Sequence, residues 1–429
     1  FIPPYVAAIS WLHLLGPSGW LGRFLGDWPW LSGIGSSLFY ASCLMTLSYY
    51  PIVALLSGVG FNRMDGDLED AARLQARPWR AWFRVTLRLA VPAVLSGGFL
   101  VFLLAFSNFA VPSLLQVQVY PIEVFYRFSI LHNPDQATVY ALPLLFLSLM
   151  ALTGIYLLER KPHATISSSR RPPALLMAGR GRWGLTIVAF CLFVVSIFLP
   201  LKALFDMAGS FDNYLAALAN ARQDILTSLQ SSLSSAFGTT AAAGLIAFGA
   251  WTVPSRWGGW LERTALASYA FPAATVGIGI IGLYNREGPV GVIYSSSFIL
   301  VLAFFCRYIS FAFKPAMMVM TYLHPSLDES ARITGLSRWK RFWSIFLPLA
   351  ARGMAVGWLL VYGFALLDLD TAILVHPPGL ATLPVRVFNL LHFGRHEWVG
   401  ALCLVLVALA MLPYLIFVLW GEKDASTDS

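Results

Sequence analysis

Apolar residues fall in blocks of about 20 along nearly the whole chain, broken by short polar stretches. A block of that length is what a helix rising 1.5 Å per residue needs to cross a hydrocarbon layer of about 30 Å. The blocks lie near 1–16, 35–58, 92–115, 138–158, 184–205, 225–250, 264–284, 291–315, 350–372 and 398–420, and predict ten membrane-spanning helices. The expected fold is an all-α integral membrane protein.

The polar interruptions carry a repeat. Glu69-Asp70-Ala71, Gln75, Trp79 and Val85-Thr86-Leu87-Arg88 recur 260 residues later as Glu329-Ser330-Ala331, Gly335, Trp339 and Ile345-Phe346-Leu347-Pro348. Val101, Ala105 and Leu114 recur as Val361, Ala365 and Leu374, so a membrane unit was duplicated, beyond the loop itself. Between the two loops lie six predicted spans. An even number returns the chain to the same side, so the repeats are expected to be parallel, related by a pseudo-two-fold along the membrane normal.

This divides the chain into a first half at 1–158 with four spans, a basic Pro-rich linker at 159–183, a second half at 184–420 with six spans, and a tail at 421–429. Setting the halves at the 260-residue offset places Phe1 opposite Leu261, and two further spans of the first unit are expected upstream of Phe1. In the second loop, Ser326 to Glu329 bring acids to a helix start, and Gly335 is expected to end that helix at a positive φ.

The chain is 58% hydrophobic and 12% charged, with a net charge of +8. A soluble domain carries roughly 25% charged residues. Placing the 62–91 segment in the cytoplasm gathers Arg63, Arg73, Arg77, Arg80, Arg84, Arg88, Arg170, Arg332, Arg338, Lys340 and Arg341 on that side, along with the linker and tail. The positive charge is thus a topology signal and gives no reason to expect nucleic acid. Cys43, Cys191, Cys306 and Cys403 all fall in apolar blocks without pairing motifs and imply no disulfide or metal framework. No phosphate-binding Gly-x-x-x-x-Gly-Lys-Ser/Thr occurs, and no nucleophile, base and orienter converge, so an enzyme is not expected.

The Glu-x-Ala, Gly, Ile-x-Leu-Pro pattern resembles the "EAA" loop of ATP-binding-cassette importer permeases of type I fold. Glu329, Ala331, Gly335, Ile345, Leu347 and Pro348 match it; in the first copy Gln75 and Arg88 depart from it. The resemblance implies a non-catalytic permease in a bacterial inner membrane, with Glu69, Asp70, Ala71, Gln75, Trp79, Glu329, Ala331, Gly335 and Trp339 docking two ATPase subunits, expected to form a homodimer. It implies no cofactor in this chain, ATP and Mg²⁺ on the partner subunits, and a periplasmic or lipoprotein solute-binding protein, with lipid around the spans. The fused two-half form, with Ile2-Pro3-Pro4-Tyr5 and Thr382-Leu383-Pro384-Val385-Arg386, resembles ferric-iron permeases. Ferric iron is therefore the expected substrate, with thiamine, aminophosphonate or another small solute as alternatives. An ion-gradient-driven secondary transporter is the alternative of another class.

Asp368 and Asp370 are the leading candidates for a translocation path, because a carboxylate inside a span normally faces a cavity or a partner. Surface bonding at the helix end is the competing account. Asn108 and Tyr362 are weaker candidates. His376, His392 and His396 could serve metal handover or contact a binding protein. Gly277-Ile278-Gly279 and the serines and threonines near 231–240 suit close helix packing.

Overall fold

The computed structural model describes residues 2–16, 19–25, 38–62, 71–72, 74, 80, 82–159, 181–253, 255–321 and 326–427. Among these the regular elements are all helical. The principal helices are α1 (Pro4–Leu15), α2 (Leu38–Asn62), α3 (Leu87–Phe106), α4 (Ala110–Leu114), α5 (Pro134–Glu159), α6 (Gly181–Phe193), α7 (Leu199–Ala208), α8 (Arg222–Thr252), α9 (Ser255–Ala267), α10 (Ala273–Tyr284), α11 (Phe298–Thr321), α12 (Ser326–Ile333), α13 (Leu347–Leu366), α14 (Ala372–Val375), α15 (Leu383–Phe393) and α16 (His396–Thr427).

Eight helices among the described residues are long and apolar enough to cross a membrane, and a ninth crossing results if a bent pair counts as one. Two of the ten expected spans change character. The block at 1–16 yields α1, whose twelve residues rise about 18 Å, short of the hydrocarbon thickness. Pro3 sets its start and Gly16, in extended conformation, ends it. The block at 264–284 is broken by Pro272: Phe271 before it is extended, as a residue preceding proline prefers to be, and the chain turns by 104°.

The 260-residue repeat is structural. The π-helical turn Trp82–Thr86 and α3 match the π-helical turn Phe342–Phe346 and α13 residue for residue. Helix α2 begins at Leu38 and α11 at Phe298, again 260 apart. The register of α1 differs from the sequence expectation. Pro3 and Pro272, with nearly equal backbone angles, cap α1 and α10, twelve residues each, so the offset there is 269. The connection from α1 to α2 is nine residues longer than that from α10 to α11.

Contacts divide the chain into two compact units that differ from the sequence halves. One comprises 2–119 with 146–203, the other 120–145 with 204–429. In the first, α1, α2 and α4 pack around Ala8, Tyr40, Leu44, Val111 and Leu115. In the second, α10, α11 and α14 repeat that arrangement, and α8 packs on α11 and α13. A Cβ on Gly277 would lie 2.9 Å from Leu374 Cδ1, so this glycine lets α10 approach α14. Large apolar side chains such as Leu142, Phe146 and Met150 on α5 are exposed, as lipid-facing residues are.

Candidate functional site

The second loop forms the helix its sequence predicts. In α12 the last turn closes with Leu336 N–H donating to Ala331 O at 3.2 Å and Gly335 N–H to Arg332 O at 3.0 Å. These are the two bonds of a Schellman cap, and they require the positive φ of +74° that Gly335 adopts at little cost. Arg332 donates to Thr252 O at 2.8 Å and ties α12 to the end of α8. Ala331 is buried, whereas Leu327, Glu329 and Ile333 are exposed, Ile333 at 87%. Ser337 then caps the single turn Arg338–Arg341, its hydroxyl accepting from Lys340 N–H at 3.4 Å. Trp339 is exposed and meets Phe342 edge to face; Phe342 and Phe346 stack on each other and both meet Phe248 of α8 edge to face. The result is a short helix tied to α8 through Arg332 and followed by a turn whose aromatic side chains pack on α8, with an acid and apolar side chains of the helix exposed.

In the first loop, Ala71 lies in a helical segment and is exposed. Glu69, Asp70, Gln75 and Trp79 lie outside the described residues.

Three of the path candidates, Asn108, Asp368 and Asp370, sit at a break that both repeats share. Helix α3 stops at Phe106 and α4 begins at Ala110; α13 stops at Leu366 and α14 begins at Ala372. In the first break, Asn108 Oδ1 accepts from Val111 N–H at 2.9 Å; in the second, Asp368 Oδ1 accepts from Thr371 N–H at 3.0 Å. A short polar side chain thus satisfies an amide that the interrupted helix leaves open. Asn108, Asp368 and Asp370 are all buried.

Sequence reasoning missed the partners of Asp368. Arg307 of α11 donates to both carboxylate oxygens at 3.0 Å and also to the Thr371 hydroxyl. The Tyr308 hydroxyl donates to Oδ2 at 2.8 Å. The side chains of Arg307 and Asp368 are 10% and 2% exposed. Both oxygens of Asp368 are therefore engaged within the protein. At the matching positions of the first repeat stand Leu47 and Asn108, so the charged pair has no counterpart there. The signal in the sequence was a lone arginine inside the block at 291–315.

Tyr362 is buried in helix packing: its hydroxyl donates to Leu409 O of α16 at 3.1 Å and its ring stacks on Trp358. His376 and His392 each turn Nδ1 toward a carbonyl of their own helix, Ala372 O at 3.0 Å and Phe388 O at 2.8 Å. Among the described residues, no three His, Cys, Asp or Glu side chains gather as a metal site would need. At the head of α15, Leu383 N–H donates to Ser228 Oγ at 2.6 Å and Arg386 pairs with Asp224 at 3.6 Å. That ferric-like stretch thus docks on the serine face of α8.

The family of binding-protein-dependent transport system inner membrane components matches residues 1–163 and 254–426, which is well over half of the chain and falls on both repeats. A putative 2-aminoethylphosphonate transport system permease protein, PhnV, of Salmonella paratyphi A is 27% identical over 261 residues, covering 56% of this chain and 94% of the relative. The putrescine transport system permease protein PotI of Escherichia coli K12 is 32% identical over 103 residues, covering 24% of this chain and 37% of its own. Among solved structures, a bacterial ABC transporter involved in alginate import has a TM-score of 0.48 at 16% identity, covering 56% of this chain and 95% of that one. The chain is a multi-pass protein of the bacterial inner membrane and carries out no catalysis; ATP hydrolysis belongs to separate subunits. It belongs to the family of binding-protein-dependent transport system inner membrane components, the permease subunits of ATP-binding-cassette importers.

Proposed function

We propose that this chain supplies the whole substrate path of its importer, and that its two loops dock two copies of one ATPase, which bind ATP and Mg²⁺. The observation that carries this reading is α12: an eight-residue helix, fixed by the Gly335 cap and the Arg332 tether, with Leu327, Glu329 and Ile333 exposed. A rigid helix that leaves apolar groups uncovered beside charged ones suits a groove in a partner. The first loop would dock the second copy, and the departures at Gln75 and Arg88 make its contact the weaker one.

For the substrate, the relative that spans most of its own length here is named for 2-aminoethylphosphonate, which favours a small solute of that class over ferric iron. The closure of Asp368 by Arg307, Tyr308 and Thr371 argues in the same direction, because a hard cation would have to displace an arginine from that carboxylate.

The test is uptake by proteoliposomes holding this chain, its ATPase and its binding protein, supplied with labelled 2-aminoethylphosphonate or ferric ion. We expect ATP-dependent uptake of the phosphonate, reduced about tenfold or more by Glu329→Lys while ATP hydrolysis continues. Transport unaffected by that charge reversal counts against docking at α12, and uptake of ferric ion alone counts against the substrate class.

A further inference from the structure

A cleft of about 480 Å³ opens at the start of the span containing α3, lined by Phe83, Arg84, Leu87, Arg88 and Val91. The spacing places all five on one face of the helix. Arg84 and Arg88 are exposed and have no ion-pair or hydrogen-bonding partner among the described residues. Like charges four apart on a helix repel, so this pair works against the helix that carries it. The fold does not demand it, since the second repeat holds Ser344 and Pro348 at the same positions. Phe83 and Val91 are exposed beside the arginines, and the whole face lies in a segment apolar enough to cross the membrane.

We propose that this cleft binds an anionic phospholipid, its phosphate held between the two guanidinium groups and its acyl chains lying along Phe83, Leu87 and Val91. Arginine's planar fork suits phosphate oxygens, and basic clefts at the cytoplasmic ends of spans are favourable places for anionic headgroups. A lipid fits better than a soluble subunit because Leu87 and Val91 carry the lining into the hydrocarbon. An anionic headgroup fits better than a zwitterionic one because, among the described residues, the lining brings two cations and no acidic side chain to balance them.

The test is native mass spectrometry of the assembled transporter, delipidated and then incubated with micelles of equal phosphatidylglycerol and phosphatidylcholine. Wild type is expected to retain several-fold more phosphatidylglycerol. Arg84→Ser with Arg88→Gln should abolish that excess, and the single changes should each reduce it. Arg84→Lys with Arg88→Lys should keep part of it. Arg352→Gln, an exposed arginine of the second repeat outside the cleft, should leave it unchanged.

Four results would overturn the proposal: equal retention by the Ser/Gln variant; equal loss with Arg352→Gln, which would mean bulk charge; displacement by millimolar inorganic phosphate, which would mean that the acyl chains contribute nothing; and loss of the ATPase with lipid retention intact, which would make the arginines a protein contact.

Discussion

At the residue scale, the decisive group is the ion pair between Arg307 and Asp368. Both side chains are almost fully buried, so removing either breaks a buried ion pair, at a cost of about 3 to 5 kcal/mol. Asp368→Asn and Arg307→Leu should therefore each lower the thermal unfolding midpoint of the purified protein in detergent. The combined change recreates Leu47 and Asn108 of the first repeat, where Asn108 makes the same bond to the following amide without any charge. It should restore most of the lost midpoint, because both charges leave together; a double variant no better than the worse single would show that the pair is not the unit of stability. Asp368 was legible as an anomaly, a carboxylate in an apolar block. Its partner was not, because nothing in periodicity links residues 61 positions apart. The break that Asp368 caps was equally hidden, since Leu367, Leu369 and Ala372 keep the block apolar across it.

At the element scale, the two repeats solve one packing problem in the same way. A Cβ on Gly357 of α13 would lie 2.9 Å from Ala312 Cα of α11, and one on Gly97 of α3 would lie 3.2 Å from Val53 Cα of α2. Backbone cannot retreat as a side-chain tip can, so both positions require glycine if the helices are to stay this close. Gly357→Leu should cost more than the 1–3 kcal/mol of ordinary overpacking, and the fraction of monodisperse protein on size-exclusion chromatography should fall steeply. Gly98→Leu is the contrast, because no atom lies within 4 Å of its added Cβ and that side is exposed; an equal loss there would mean that bulk, not approach, is at fault. The matched positions of α2 and α11, and of α3 and α13, were readable from the 260-residue offset alone. The nine-residue slip before α2 was not, because the single 260-residue offset pairs Pro3 with Arg263 and not with Pro272, the proline that starts α10.

At the scale of the whole molecule, everything assigned to the two loops depends on whether they face one compartment, and that turns on Pro272. Between Trp82 and Met320 the described residues hold five uninterrupted candidate spans and the bent pair Trp257–Ala270 with Ala273–Tyr284. If the pair crosses the membrane once despite its 104° turn, six crossings return α12 to the side of Ala71; if it dips and returns, five crossings put them on opposite sides. Hydropathy averaged over a window passes through Pro272 without registering the bend, so the sequence reading counted one straight span. Charge decides for a single crossing, since the first loop holds Arg73, Arg77 and Arg80 and the second Arg332, Arg338 and Lys340, and positive charge next to spans is retained in the cytoplasm. The check is labelling of Ala71→Cys and Ser330→Cys, each in a background in which Cys43, Cys191, Cys306 and Cys403 are replaced by serine or alanine. A membrane-impermeant maleimide should react with both in inside-out vesicles and with neither in intact spheroplasts. Reaction of one from each side would place the loops on opposite faces, and no dimeric ATPase could then reach both.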